Sequence, residues 1–305
     1  MITEKKEQEE SLETLRINEQ WGSQVKILSK LDILKTFPDS KQLGIEGIDG
    51  KEYPVPQPEE IRARLETNKE MVLAKMNQGF TRIVMVPFGY SLDSLSDKYK
   101  KTILRHHKEG KLLATKEKPT DPDELLELDE NEPLWRWEGY SHTDTEGKIV
   151  YFPEEFSDRH GERTKKELLA SDSLNAWQIL LLEDMPNIPR EGKGQEIGGR
   201  HQLESNKTPT EYLRLLQTEP EYKGEFGLTP EADLMYAITY LEETNQVTND
   251  YNGKGSLSFQ IGAYFPSSGR VPGSCWARCR RRAGLNGSSP SYRNSNFGVR
   301  VGVRV

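Results

Sequence analysis

The chain has 305 residues, 34% hydrophobic and 30% charged, a net charge of −7 and a mean hydropathy of −0.78. No apolar run approaches the roughly 20 residues needed to span a bilayer. The acidic start MITEKKEQEESLETL lacks an apolar signal core, so a cytoplasmic protein is expected, with surface display by another route left open.

The pI of about 5.5 averages two unlike parts. Residues 1–250 hold 33 basic and 49 acidic residues, whereas nothing acidic follows Asp250, and Lys254 and eight arginines remain. Three segments are expected. They are a charged extension over 1–55, the first part of an α+β domain or an accessory subdomain over 56–200, and a core over 201–305 with a specialised surface at about 271–300.

In chain order, a helix is expected from about Glu9 to Ile33. Pro58–Met76 places Ile61, Leu65, Val72, Leu73 and Met76 at helical spacing, with Pro58 at the start and Gly79 just past the end, and predicts one amphipathic helix. Thr81–Gly89 is β-branched and predicts a buried strand leading into a helix over Ser91–Lys108. The acidic stretch Thr120–Pro133 lacks the glycine and terminal glutamate of a calcium loop and is expected to be solvated. Strands are expected in LWRWEGY, GKIVYFP and AWQILLLEDMPNIPR.

Gly192–Arg200 is rich in glycine but lacks both the Lys-Ser/Thr ending of a P-loop and the dinucleotide spacing, so a structural turn is expected. Thr208-Pro209-Thr210-Glu211 spells a capping box and Thr229-Pro230-Glu231 a second helix start, giving helices near 208–218 and 229–244. In the latter, Leu234, Ile238 and Leu241 are expected to form an inward stripe. Ser256–Pro266 and the closing FGVRVGVRV alternate as strands, with Val299, Val301, Val303 and Val305 on one face.

Signals for chemistry are sparse. The five histidines sit at no ligand or triad spacing, and Cys275 and Cys279 lack the companions of a four-ligand zinc site. Neither a metal nor a cofactor is implied. Arg280, Arg281 and Arg282 beside Trp276 and Tyr292 suggest nucleic acid at first sight, but the arginines alternate with glycine and valine, which suits inward structural contacts better. The reading is of a monomer whose partner is an unidentified protein or glycan.

The pattern G-S-x-W, R-x-A, P-x-x-R, G-x-R-V is carried by Gly273, Ser274, Trp276, Arg281, Ala283, Pro290, Arg293, Gly298, Arg300 and Val301. It resembles the C-terminal signature of C-type-lectin-fold proteins, namely the formylglycine-generating-enzyme type and the variable proteins of diversity-generating retroelements. The match covers about the last 50 residues, and from Tyr264 onward it is most similar to the variable-protein branch of uncultivated archaea and candidate bacteria. Resemblance to the enzymes would imply copper and two active-site cysteines five positions apart, whereas Cys275 and Cys279 are four apart.

Resemblance to the variable proteins implies an α+β, C-type-lectin-like fold and a non-enzymatic, hypervariable binding surface. Template adenines mutated at AAC codons cannot yield Lys, Glu, Gln, Met or Trp. None of these occurs between Ala277 and Phe297, although they form roughly a quarter of the chain. The implied framework is Trp276, Arg281, Ala283, Leu285, Pro290, Arg293, Gly298 and Arg300, the arginines bonding loop carbonyls. The implied displayed, solvent-facing set is Cys275, Ala277, Cys279, Arg280, Gly284, Asn286, Ser288, Ser289, Ser291, Tyr292, Asn294, Asn296 and Phe297.

Overall fold

A computed structural model describes Leu12 and residues 15–161 and 163–305. Part of the helix expected over residues 9–33 lies outside these residues; the described part is α1, Ile17–Lys30. Three short strands follow, β1 Lys35–Thr36, β2 Leu43–Glu46 and β3 Glu52–Pro54, forming an antiparallel sheet of their own.

The single helix expected over Pro58–Met76 is two, α2 Pro58–Thr67 and α3 Lys69–Asn77. The break falls at Asn68 (φ −115°, ψ 27°), and Thr67 and Asn68 are both weak helix formers. The bend lets Ile61 and Leu65 reach the core while Lys75 meets Glu225 at 2.5 Å.

Strand β4 (Phe80–Val86) is followed by α4 (Leu92–Lys108), whose cap Ser91 accepts from the Ser94 amide at 3.4 Å. Next come β5 Leu134–Arg136, β6 Val150–Tyr151, α5 Lys165–Ser171 and β7 Gln178–Glu183. The Gly-rich turn carries β8 Glu196–Ile197 and β9 Arg200–His201, and it ends structurally. Arg200 is wholly buried and grips Glu225 through Nε at 2.7 Å and Nη2 at 2.8 Å.

Helix α6 (Pro209–Thr218) forms from its capping box, with the Glu211 carboxylate accepting from the Thr208 amide at 2.7 Å and Thr208 Oγ1 from the Glu211 amide at 3.1 Å. After β10 (Glu225–Gly227), Thr229 caps α7 (Pro230–Thr244), which ends on left-handed Asn245. The inward stripe expected here is too narrow a description. Every residue from Pro230 to Leu241 is buried, because α7 packs between β4 on one side and β14 on the other, with α4 and α1 against it.

The remaining strands are β11 Asp250–Tyr251, β12 Leu257–Phe259, β13 Ala263–Tyr264, β14 Val271–Ala277, β15 Arg282–Ser288, β16 Phe297–Val299 and β17 Val301–Arg304. Two sheets dominate. One is antiparallel, ordered β10-β17-β7-β4; the other is mixed, ordered β16-β12-β14-β15-β5, with β11 also on β14. With 34% of the chain helical and 24% in strands divided among several small sheets, the protein is mixed α and β.

Strands β4 and β7 share a sheet with β17, and β5 shares one with β15, so residues 56–200 and 201–305 build common layers. The closing strand expected over Phe297–Val305 is two. Strand β16 runs parallel to β12 in one sheet and β17 antiparallel to β7 in the other. The switch is at Arg300, whose guanidinium donates to Met185 O at 2.7 Å, Pro186 O at 3.0 Å and Asn249 Oδ1 at 3.1 Å. Those acceptors pull the chain off one sheet and onto the next.

Candidate ligand-binding face

The β14–β15 hairpin pairs Gly273 with Asn286, Cys275 with Gly284 and Ala277 with Arg282, and in alternation Ser274 with Leu285 and Trp276 with Ala283. Directly opposed residues in an antiparallel pair share a face, and successive residues alternate between faces. One face of the hairpin therefore carries Cys275, Ala277, Arg282, Gly284 and Asn286, and the other carries Ser274, Trp276, Ala283 and Leu285.

Neighbouring strands extend both sets. Strand β5 sets Trp135 beside Gly284, β11 sets Tyr251 beside Ala277, and β16 sets Phe297 beside Leu257. The outer face encloses a cavity of about 490 Å³ with mostly apolar walls. Seven of the displayed candidates line it: Cys275, Ala277, Cys279, Arg280, Gly284, Asn286 and Phe297. Trp135, Tyr251, Leu257, Arg282 and the framework residue Ala283 complete the wall. Nothing local in the sequence marks Trp135, Tyr251 or Leu257, because pairing between strands brings them in.

Beneath the hairpin the inner face rests on a polar core. Trp276 is wholly buried, as are Ala283 and Leu285 to within 1%. Ser274 Oγ donates to Asp233 Oδ2, which also accepts from Gln260 Nε2 at 3.1 Å, and Asn249 Nδ2 donates to Ser274 Oγ at 3.2 Å. Burial pushes the Asp233 carboxyl up, opposed by these hydrogen bonds and by Arg300. The network ties β14 to α7 and to the Arg300 switch.

Glycines divide in the same way. A Cβ on Gly284 would meet only Asn286 Nδ2 at 3.2 Å, Cys275 Sγ at 3.8 Å and Trp135 Cε3 at 4.0 Å, so that position opens into the cavity. On Gly287 it would meet the Trp137 ring at 2.6 Å, and on Gly298 Ile188 Cγ2 at 2.6 Å. The latter two are glycine because a neighbour occupies the space of a side chain.

Several expected placements need correction. Cys275 and Gly284 are buried in the cavity floor instead of facing bulk solvent, since the aromatic walls overhang them. Arg281 and Arg293 are exposed, and their side chains pair with Glu127 at 3.5 Å and with Glu211 instead of bonding loop carbonyls. Arg281 occupies the hairpin tip in the left-handed region (φ 52°), and its own carbonyl accepts from the Asp129 amide at 2.8 Å.

The arginine that does anchor the tip is Arg278, donating to Asp250 Oδ1 at 2.8 Å and Oδ2 at 2.7 Å and to Glu124 at 2.5 Å. Asp250 is wholly buried and is held in turn by Thr115 Oγ1 at 3.1 Å. The only advance signal was that Asp250 is the last acidic residue before a run of arginines.

The other candidates lie on the 288–298 loop. Ser288, Asn294, Asn296 and Pro290 are half-buried, Ser289, Ser291 and Tyr292 are exposed, and Gly298 is buried. Pro290 O accepts from the Thr210 amide at 3.2 Å and hydroxyl at 3.0 Å, and Tyr292 packs edge-on against Phe297 at 5.3 Å, which fixes the loop beside the cavity.

Burial pushes the Cys275 thiol up to about 12, while Cys279 is exposed; both are free. Among the described residues no group of three or more His, Cys, Asp or Glu side chains could hold a metal ion, and no helix is long and apolar enough to cross a membrane. No protein-family model, curated protein or solved structure matches this chain.

Proposed function

We propose that this chain is the variable protein of a diversity-generating retroelement, a non-enzymatic binding protein that presents a changeable face to a protein or glycan on a C-type-lectin-like scaffold. The observation that carries the reading is the alternation on β14 and β15. Cys275, Ala277, Gly284 and Asn286 turn to the cavity while Trp276 and Leu285 turn to the core, and Ala283, itself buried, touches the edge of the cavity.

The physics favours this division. Core substitutions cost roughly 2–5 kcal/mol each and surface ones stay within about 0.5 kcal/mol, so a chain that changes many residues together must hold its fold with others. A period-two separation keeps variable and fixed residues adjacent in sequence yet on opposite sides of one sheet.

The oxidase reading requires a reactive thiolate pair. Burial pushes the Cys275 thiol up, which makes it a poor nucleophile, and its spacing of four from Cys279 departs from the five of the enzymes; both support binding over oxidation. Nucleic-acid binding would need free cations, and most arginines of the segment are engaged within the protein.

The deciding experiment is genomic. A near-copy of the coding sequence for about residues 275–297 should lie beside a reverse-transcriptase gene, with differences confined to template adenines. Differences scattered equally over codons for Trp276, Ala283 and Leu285 would overturn the proposal. At the bench, Cys275→Ser with Cys279→Ser should leave the fold intact; copper-dependent oxidation of a cysteine peptide that disappears in this double variant would establish the oxidase instead.

A further inference from the structure

The arginine-rich segment looks like a polyanion site in sequence, with nine basic residues and no acidic ones after Asp250. Folding engages nearly all of it, five residues through carboxylates and three through neutral groups. Arg278 is held by Asp250 and Glu124, Arg281 by Glu127, Arg282 by Glu132, Arg293 by Glu211 and Lys254 by Glu117. Arg270 donates to Gly287 O at 2.8 Å and Arg300 to backbone carbonyls, while Arg304 lies 4.3 Å over the Phe152 ring.

One arginine of the segment is left. Arg280 has no hydrogen bond, ion pair or ring contact among the described residues, and it lines the cavity whose walls include Trp135, Tyr251 and Phe297. Arg282 also lines this pocket but is paired with Glu132, which leaves Arg280 as its one unpaired cation among the described residues. One unpaired cation at the mouth of an aromatic pocket matches one carboxylate beside one flat or apolar group; it does not match a phosphate chain, which needs several cations in a row. A guanidinium also favours carboxylate through a planar pair of hydrogen bonds.

The size of the surface indicates what carries that pair. The exposed loop bearing Ser289, Ser291 and Tyr292 adjoins the cavity through the Tyr292–Phe297 contact, so the accessible face extends well past the pocket. Interfaces with proteins combine such an aromatic-lined central pocket with a polar rim.

We infer that the cavity takes an aromatic side chain of a protein partner, with an adjacent aspartate or glutamate of that partner paired to Arg280. This rests on the binding-face reading and names its partner's chemistry. Gly284, which has no side chain of its own, lies in the cavity wall beside Trp135.

The test uses the full chain and blocked tetrapeptides, followed by nitrogen–proton NMR at the Trp135 indole and Gly284 amide. Gly-Trp-Asp-Gly should shift both signals, and Gly-Ala-Asp-Gly should shift neither. Gly-Trp-Asn-Gly should bind about 3- to 10-fold more weakly, the ordinary range for one partly exposed charge-assisted pair. Arg280→Gln should weaken the aspartate peptide by the same factor and abolish the aspartate–asparagine difference, while Arg281→Gln, one residue away, should do neither.

Equal binding of the asparagine peptide, or an equal effect of Arg281→Gln, overturns the inference. So does displacement of these signals by a maltose oligomer or by a single-stranded oligonucleotide when no peptide acts. The two readings fail separately. Peptide binding without a template repeat in the genome sinks diversification and leaves the pocket; a template repeat without peptide binding does the reverse.

Discussion

Gly284 and Gly287 lie three residues apart on the same strand, and their substitution by alanine should have opposite consequences. Alanine in a strand is favoured over glycine by roughly 0.5–1 kcal/mol through the unfolded chain, and that gain applies to both. At Gly284 the one tight contact of the new methyl is the end of the Asn286 side chain at 3.2 Å, which can swing into the cavity, while Cys275 Sγ at 3.8 Å and Trp135 Cε3 at 4.0 Å are ordinary contacts, so Gly284→Ala should be neutral or slightly stabilising. At Gly287 the methyl arrives 2.6 Å from Trp137 Cε3 and 2.8 Å from Cζ3. The ring has little freedom to retreat, since a Cβ on Gly139 would fall 2.1 Å from it, Phe265 lies edge-on at 5.3 Å and Arg270 sits 5.5 Å over its face. Overpacking costs about 1–3 kcal/mol, so Gly287→Ala should lose about 1–2 kcal/mol after the strand gain. Urea denaturation followed by tryptophan fluorescence reads both midpoints at unchanged slope. A Gly284→Ala loss equal to that of Gly287→Ala would refute the argument that one glycine opens to the cavity while the other is kept by contact.

The same division makes further predictions. Trp276→Ala should cost roughly 3–5 kcal/mol by chemical denaturation, whereas joint replacement of exposed Ser289, Ser291 and Tyr292 should stay within about 0.5 kcal/mol per site; the reverse order would exchange framework and display. Arg278→Ala strands the buried Asp250 carboxylate and should lose about 2–3 kcal/mol, while Arg281→Ala should change nothing measurable; a thermal-shift assay that ranks them the other way restores Arg281 to the framework. A disulfide dye at neutral pH should label Cys279 within minutes and Cys275 far more slowly, since the Cys275 thiol is buried and pushed up, and two equally fast thiols would show that thiol to be exposed. Because the folded Cys275 thiol titrates at about 12 against an ordinary 9.0, its contribution to stability is full below pH 9 and is lost as pH rises toward 12; Cys275→Ser should flatten that part of the alkaline stability curve.

Elements whose hydrogen bonds close within a few residues were legible in the sequence. Thr208, Pro209 and Glu211 form a complete capping box in four positions, and Thr229 and Ser91 cap their helices through the third residue on. The β-branched run became β4. Strands β14 and β15 had no expected counterpart, and the division of their residues into displayed and framework sets came only from the resemblance.

Only the tertiary structure decided what distant segments impose. Trp135 reaches the cavity through pairing with Gly284, far along the chain, and Tyr251 through pairing with Ala277. The break between β16 and β17 is set by the carbonyls of Met185 and Pro186, which Arg300 cannot announce from its own neighbourhood. Most of all, the apparent basic patch is a count of charges without their partners. Asp250, Glu124, Glu132 and Glu211 come from other segments to meet the arginines, and the one that leaves water, Asp250, is held by Arg278, because a buried charge is tolerable only when paired. Composition thus determined how many cations the segment holds, and folding determined that Arg280 is the arginine of that segment left to face the cavity without a partner among the described residues.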